Sequence, residues 1–288
     1  MKRFYRIALS VLSLFLVSTS SILAQTSGDS FEKAKQTRQA NITYIYSEAP
    51  GFASAVNGQV QGVCVSIMED FEFFLLDKYG IKVNSTVNTD HANNFTTYLT
   101  AVKKSTGGVF GLSNTTITEK RKKEYNFSPA YITNIAMLLT NKAVPTLGDI
   151  SKIGDTFNGM IALTIKGTTN EDFIKQLKST YYPTMKIEYL NYFDEAVKKL
   201  ESSDKYFASM DFTYYLDGIQ NNKPIKRHPA GDQAAEEFGI IMPSNSDWEK
   251  PFAEFLTEAY KSSASYRKII VANLGPNALK LLDAVSAG

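Results

Sequence analysis

The sequence predicts an α/β protein. Short runs of β-branched and aromatic residues, the first at residues 42–46, have the composition of strands. Between them lie segments with apolar residues at helical spacing, such as residues 62–79, which stop at Gly80, a typical helix-ending residue. Strands that alternate with helices in this way are typical of α/β domains. The 288 residues are enough for two modest domains or one large one.

Residues 1–24 have the pattern of a secretory signal peptide. Lys2, Arg3 and Arg6 form a basic start, an apolar stretch follows, and a segment of small residues ends at Ala24. Because the apolar stretch is short for a bilayer span, we predict cleavage near Ala24 and a periplasmic or secreted mature chain. That mature chain has 28 basic and 29 acidic residues, since the leader holds three of the 31 basic residues, and its formal charge of −1 does not predict nucleic-acid binding.

Cysteine and histidine usage argues against a disulfide or a metal centre. Cys64 is the only cysteine, so no intramolecular disulfide can form, and its apolar neighbours predict a buried, inert thiol. The two histidines, His91 and His228, lie in different sequence contexts, which does not predict a histidine metal cluster. We therefore predict neither a metal nor a cofactor.

The predicted elements begin after a polar segment, residues 27–40, which we expect to be loose. Strands are predicted at residues 42–46, 81–83, 131–140 and 206–209 and in the apolar runs that end at Leu112 and Leu163. Helices are predicted at residues 62–79, 95–104, 193–200, 212–219, 248–262 and 265–274, and a loop at 221–233.

The stretch that organises the prediction is residues 111–131. Five short polar side chains lie within six positions: Ser113, Asn114, Thr115, Thr116 and Thr118. Thr118 is a candidate N-cap for a cationic helical turn that contains Arg121. Hydroxyls and backbone N–H groups beside a guanidinium suit a small carboxylate, since arginine offers a planar fork of donors that stays charged. The alternative is a solvated basic face next to a threonine-rich loop.

This stretch resembles the signature of bacterial extracellular solute-binding proteins of the polar amino-acid type (family 3), which serve ABC transporters. The resemblance is carried by TTITEKRKK at residues 115–123 and FSPAY at 127–131. It implies a two-lobed periplasmic-binding-protein-like fold of type II, each lobe a mixed sheet flanked by helices. The implied first lobe covers residues 38–133 and 237–288, and the second lobe covers 134–236, with the ligand in the cleft between them.

The resemblance also implies the residues that hold an α-amino acid. Arg121, Thr116 and the backbone near Asn114 would bind the α-carboxylate. They would be helped by Thr168 and Thr169, which follow a predicted strand at a helix start, where free N–H groups suit an anion.

The α-ammonium group would be received by Asp211, at the end of a predicted strand in the second lobe. The alternative for Asp211 is an N-cap of the helix at residues 212–219.

Three further residues would shape the pocket for the ligand side chain. Tyr46 and Glu48 lie at the end of the first predicted strand, where ligands usually meet an open α/β sheet. Phe95 lies at the start of a predicted helix, where the family often has an aromatic cover. Ordinary core packing is the alternative for both Tyr46 and Phe95.

The chain also departs from the family's pattern. Val109 stands where the family usually has an aspartate, and Asn114 stands where it usually has a glycine. The resemblance implies a monomer that binds a small polar ligand, an amino acid, by hinge closure and delivers it to an ABC transporter permease. One alternative is a dehydratase of the arogenate or prephenate type on the same fold, with Glu48 as the nearest candidate general acid. The other alternative is a ligand sensor.

Overall fold

The computed structural model describes residues 25–286, and its frame is a pair of five-stranded sheets. The first sheet has the strand order β4-β1-β5-β14-β6, in which β4, β1 and β5 are parallel and β14 is antiparallel to β5 and β6. Its strands are β1 (Gln39–Tyr46), β4 (Lys82–Asn88), β5 (Val109–Leu112), β6 (Tyr125–Phe127) and β14 (Ile241–Pro243). The predicted signal peptide lies outside the described residues.

The second sheet is built from one continuous stretch of chain and has the order β10-β9-β11-β8-β12. Here β10, β9 and β11 are parallel, while β8 runs antiparallel to both β11 and β12. The strands are β8 (Ala136–Asn141), β9 (Ile161–Ile165), β10 (Lys186–Leu190), β11 (Tyr206–Asp211) and β12 (Ile225–Arg227). Parallel strands joined by helices on the sheet faces give the α/β architecture that the sequence predicts.

Two short strands connect the sheets. The chain leaves the first sheet through β7 (Ile132–Asn134) and returns through β13 (Glu236–Phe238), and these two strands pair with each other antiparallel. A small hairpin of β2 (Ser54–Val56) and β3 (Gln59–Gln61) precedes the second helix. Two crossings side by side are a geometry that permits hinge motion between two bodies.

Twelve α-helices cover the sheets within residues 25–286. They are α1 (Phe31–Thr37), α2 (Val63–Tyr79), α3 (Phe95–Lys104), α4 (Glu119–Lys122), α5 (Ile153–Thr156), α6 (Thr169–Thr180), α7 (Phe193–Ser202), α8 (Phe212–Gln220), α9 (Glu249–Phe255), α10 (Glu258–Lys261), α11 (Ala264–Leu274) and α12 (Pro276–Ser286). The prediction of α2 is confirmed to within a residue: Gly80 adopts a left-handed φ of 64° and donates its N–H to the carbonyl of Leu76.

The predicted loose N-terminal segment is wrong, because the first sheet's core fixes it. Ser30 caps α1, and the Phe31 ring packs 5.2 Å from the ring of Trp248. The Trp248 indole N–H donates to the carbonyl of Asp29 at 2.9 Å and is itself fully buried. Trp248, 219 residues downstream of Asp29, therefore orders a polar segment whose own sequence has no strong pattern of secondary structure.

Other boundaries differ from the prediction at short elements. The predicted strand at residues 131–140 is two strands, β7 and β8, and the predicted loop at 221–233 contains β12. The predicted helix at 248–262 is interrupted and forms α9 and α10. A final helix, α12, was not predicted. It begins at Pro276, a favourable first helical residue, directly after Gly275 ends α11.

Candidate functional site

The ends of parallel strands from the two sheets face one another. In the first sheet β1 and β5 end side by side, and in the second β9 and β11 do. The segments that follow these strands, together with the starts of α3, α6 and α7, enclose a cavity of about 30 Å³, which we call the cleft. It is lined by Ser47, Glu48, Phe95, Asn114, Thr116, Arg121, Ile165, Thr168, Thr169, Asn170, Asn191, Tyr192, Phe193, Asp211 and Tyr214.

The structure brings together all but one of the residues predicted for the site. The predicted residues that line the cleft are Glu48, Phe95, Asn114, Thr116, Arg121, Thr168, Thr169 and Asp211. Tyr46 does not line it: this side chain is only 3% exposed and belongs to the core. Burial, followed by the neighbouring Glu48 carboxylate, raises the pKa of the Tyr46 phenol. Tyr46 is therefore placed as a core residue, which was the alternative for it.

Arg121 turns inward from its helical turn. The Thr118 hydroxyl accepts the Arg121 N–H at 3.1 Å, which confirms Thr118 as the N-cap. The guanidinium lies 5.4 Å from the centre of the Phe95 ring, a cation–π contact. Nη1 donates to the carbonyl of Thr116 at 2.8 Å, and Nη2 donates to the carbonyl of Gly167, on the second-sheet side, at 3.0 Å. Arg121 is therefore a bridge across the cleft and not part of a solvated basic face.

The strand-to-helix junction after β9 faces Arg121. Gly167 has a φ of +83°, a left-handed conformation that glycine adopts without strain. The Thr168 hydroxyl accepts the N–H of Glu171 at 3.1 Å and so caps α6. The Thr169 hydroxyl lies 3.4 Å from that of Thr116 across the cleft. Hydroxyls of both sheets and the start of α6 therefore converge beside the guanidinium.

Asp211 is a buried carboxylate held by amides. It is 2% exposed, and its oxygens accept from the Asn134 side chain at 3.0 Å and from the Asn114 side chain. Asp211 also occupies the N-cap position of α8, but its side chain makes no capping hydrogen bond to that helix. Burial raises the pKa of Asp211 to about 7. Hydrogen bonds from Asn114 and Asn134 oppose that rise, and the charge of Glu236 adds to it.

The electrostatics at Asp211 are those of an acid without a counter-charge. Among the described residues no lysine, arginine or histidine forms an ion pair with it. The nearby Glu236 carboxylate accepts from Asn134 and from the Thr116 hydroxyl, each at 3.4 Å. A buried carboxylate in such surroundings is stabilised by any cation that reaches it.

Sequence reasoning missed several residues of the site. Asn134 is fully buried in β7 and donates a hydrogen bond to Asp211. The only sequence pattern that could have indicated it is an amide residue at the end of an apolar strand. Tyr192 and Tyr214 line the cleft from the starts of α7 and α8, and the available signal was an aromatic residue at each predicted helix start. Neither signal is specific without the fold.

The cleft is narrow because contacts cross it. Its volume of about 30 Å³ holds one or two waters, whereas small-molecule sites have roughly 300–1,000 Å³. The crossing hydrogen bonds include Arg121 to the Gly167 carbonyl, Asn114 to Asp211, and the Thr96 hydroxyl to the Lys166 carbonyl at 3.3 Å. A ligand the size of an amino acid enters only if the two sides separate and these bonds are exchanged for bonds to the ligand.

Two α/β bodies, a pair of crossing strands and polar strand ends that face one another across a cleft define a two-lobed periplasmic-binding-protein-like fold of type II, which confirms the predicted fold class. No protein-family model matches the chain, and no curated protein sequence matches it. The evidence for the fold is therefore structural.

Solved structures of amino-acid-binding proteins share this fold. One is an ABC uptake transporter substrate-binding protein from Streptococcus pneumoniae with bound histidine (TM-score 0.66, 17% identity, 87% of this chain and 98% of that chain covered). Another is an ancestral arginine-binding protein bound to arginine (TM-score 0.64, 21% identity, 82% of this chain and 98% of that chain covered). A third is ArtJ from Geobacillus stearothermophilus, an arginine-, lysine-, histidine-binding protein (TM-score 0.63, 18% identity, 82% of this chain and 95% of that chain covered). Within residues 25–286 no helix is long and apolar enough to cross a membrane.

Proposed function

We propose that this protein is a secreted solute-binding protein of the polar amino-acid type (family 3), which captures a small α-amino acid between its lobes and delivers it to an ABC transporter permease. The observation that carries the proposal is Asp211, a buried carboxylate at the end of β11 that has amide partners and no cation. An α-ammonium group is the counter-charge that this carboxylate lacks, and it would form a charge-assisted hydrogen bond there.

The other half of the ligand is matched by the opposite wall of the cleft. Arg121 keeps free N–H donors besides the two that it gives to the Thr116 and Gly167 carbonyls. The hydroxyls of Thr116 and Thr169 and the start of α6 lie beside it. A carboxylate between them would receive donors from both lobes. An α-amino acid, with one group for Arg121 and one for Asp211, fits this polarity.

Binding of this kind favours the closed form. We propose that residues 38–133 and 237–288 act as one lobe and residues 134–236 as the other, with β7 and β13 at the hinge. A ligand that touches Arg121 on one lobe and Asp211 on the other binds the closed arrangement better than the open one, and so shifts the equilibrium toward closure. We propose that the protein works in this way as a monomer.

Isothermal titration calorimetry of the mature chain, residues 25–288, against the standard amino acids tests the proposal. For the amino acid that binds, Arg121→Ala should abolish measurable binding, because a carboxylate then loses its charged partner. The matched control is Lys120→Ala, which removes an exposed cation one residue away and should leave the dissociation constant unchanged. Micromolar affinity in Arg121→Ala, roughly −8 kcal/mol, would contradict the carboxylate role.

A dehydratase is the second candidate, and one observation favours it. A carboxyl group with a pKa of about 7 in a cleft, as Asp211 has, suits a general acid. Incubation with prephenate or arogenate followed by chromatography distinguishes the two: accumulation of product that depends on Asp211 supports the enzyme, and intact substrate supports the binding protein. A sensor would bind the same ligand, so loss of ligand uptake in cells that lack the protein is the outcome expected for a transport partner.

Location has its own test. We propose that the leader is removed near Ala24 and that the mature protein works outside the cytoplasmic membrane. N-terminal sequencing of protein recovered from the periplasmic or secreted fraction should begin at Gln25. Recovery of the intact N-terminus from the cytoplasm would contradict secretion.

A further inference from the structure

A second and much larger cavity adjoins the cleft. Its volume is about 740 Å³, within the range of roughly 300–1,000 Å³ typical of small-molecule sites. One wall is made by α7 and α8 of the second lobe, and the other by residues 50–51 and the corner between α11 and α12. We call it the side cavity. Tyr192 and Tyr214 line both the side cavity and the cleft, so these two tyrosines are a shared wall.

Tyr214 presents an unused polar group to this wall. The residue is 6% exposed, and its ring packs 5.7 Å from that of Phe193. Its hydroxyl has no hydrogen-bond partner within residues 25–286. By contrast, the buried phenols of Tyr98 and Tyr131 bond Thr115 and the Ser113 carbonyl at 3.2 and 3.0 Å. This hydroxyl is not among the enclosed polar atoms of residues 25–286 that lack a partner, so it is open to the cavity, where it can bond water or a ligand.

The charges around Tyr214 are mainly negative. Burial, followed by the carboxylates of Asp194, Asp211 and Glu48, raises the pKa of the Tyr214 phenol well above its usual value. Asp194 is half-buried at the start of α7, and burial and the Glu48 charge raise its pKa as well. Asp194 lines a cavity to which both lobes contribute residues. Even so, no lysine, arginine or histidine of the described chain forms an ion pair with it.

The two lysines of the side cavity, Lys198 and Lys223, oppose the rise in the pKa of Asp194, but neither forms an ion pair with it. Lys223 is held by Asp217 at 2.9 Å and by Glu201 at 3.3 Å. Lys198 is exposed one turn along α7 and pairs with no carboxylate in the described chain. Asp194 is therefore the carboxylate at the shared wall that has no ion-pair partner within residues 25–286.

We propose that the ligand is longer than a simple amino acid and that its extension carries an amine or a guanidinium past Tyr192 and Tyr214 into the side cavity, where Asp194 is the counter-charge. This inference rests on the proposed function, because the amino-acid end of the ligand lies between Arg121 and Asp211. The faces of the two tyrosines suit a cation through cation–π contact, and the Tyr214 hydroxyl accepts a hydrogen bond from it.

A matched pair of lysine derivatives tests the inference. Nε-(6-aminohexanoyl)-L-lysine and Nε-hexanoyl-L-lysine have the same amino-acid end and the same six-carbon acyl chain, and they differ only in a terminal amine. Calorimetry with the mature chain should show about tenfold or tighter binding of the amine compound, as expected for a charged hydrogen bond. L-lysine is the short reference for the amino-acid end alone.

Variants assign the effect to the side cavity. Asp194→Asn should bind the two compounds equally while it keeps the affinity for Nε-hexanoyl-L-lysine, which also shows that the variant is folded. The control is Glu195→Gln, which removes the neighbouring carboxylate on α7 that does not line the side cavity, and it should keep the preference.

The outcomes separate the inference from the proposed function. If L-lysine binds and the two long compounds do not, or bind equally, the side cavity is not a ligand site and the amino-acid site stands. If the preference survives in Asp194→Asn, the role of Asp194 is refuted. If no free α-amino acid binds, neither L-lysine nor any other, the proposed function and this inference both fail.

Discussion

Acid sensitivity of the second lobe should come from His228. This ring is fully buried, and its Nδ1 accepts the backbone N–H of Leu147 at 3.0 Å. Its Nε2 lies 2.6 Å from the Thr140 hydroxyl, which gives its own hydrogen to the Asn141 carbonyl. Nε2 must therefore carry the proton, and the neutral ring satisfies both partners. A proton added at Nδ1 would point at the Leu147 N–H and break that bond.

The size and sign of the effect follow from the pKa. Burial, with a smaller contribution from the charge of Lys226, lowers the pKa of His228 from 6.5 to about 4. Between these two pH values the unfolded state binds a proton that the folded state does not, so the free energy of unfolding falls as the pH falls. The contribution is complete above pH 6.5 and lost near pH 4. At 1.36 kcal/mol per pH unit it amounts to about 3 kcal/mol.

The assay compares the natural protein with His228→Asn. Asparagine keeps an acceptor for the Leu147 N–H but does not titrate. The variant should be less stable at pH 7, because it loses the ring that packs 5.1 Å from Phe157. Urea unfolding followed by circular dichroism from pH 7 to pH 4.5 should show the natural protein losing roughly 2 to 3 kcal/mol more than the variant. Other titrating groups are common to both and cancel in this difference.

Two results would refute the reasoning. One is a parallel loss of stability in both proteins over this pH range. The other is an NMR titration in which the His228 ring protonates near pH 6.5 in the folded state, since a ring of ordinary pKa contributes no such slope.

Two further predictions concern Asp211 and Gly111. The pKa of Asp211 is raised above its unfolded value, so its ionisation costs stability as the pH rises from about 4 to 7. Asp211→Asn should remove this pH dependence of the free energy of unfolding, an effect of up to about 4 kcal/mol at pH 8. The variant should also lose amino-acid binding. A stable variant that still binds would contradict the role of Asp211. A Cβ at Gly111 would lie 2.6 Å from a side-chain carbon of Ile241, so Gly111→Ala should destabilise by about 1–3 kcal/mol in thermal unfolding. The control Gly148→Ala meets nothing within 4 Å and should change stability by less than about 0.5 kcal/mol; equal effects of the two alanines would contradict the overpacking argument.

The sequence was most informative where chemistry is local. The cap of α2 at Gly80 and the N-cap of α4 at Thr118 depend on residues within one turn, and both were predicted correctly. The site residues came from the family resemblance, and the structure brings eight of them around one cleft. Most of these eight lie at or after the ends of strands, and the carboxyl ends of parallel strands meet at one edge of a sheet.

The features that were not predicted depend on contacts between residues that are distant in sequence. The order of α1 depends on Trp248, and the core position of Tyr46 depends on how β1 is covered in the first sheet. The amide partner of Asp211 in β7, Asn134, is 77 residues away along the chain. No local pattern carries such information. The side cavity is a further case, because its two walls come from different lobes and meet only through the fold.

Asn114 connects the departure in sequence to the behaviour of the cleft. Its side-chain amide donates to Asp211 from the opposite sheet, so the protein supplies a neutral donor at the place proposed for the ligand's ammonium group. A ligand must displace that amide, and its net gain is the difference between a charged and a neutral hydrogen bond. Because Asp211 has a pKa near 7, the gain is largest when the pH is high enough to ionise the carboxyl group. On the proposed function, Asn114 therefore favours a cationic ligand over an uncharged one at Asp211.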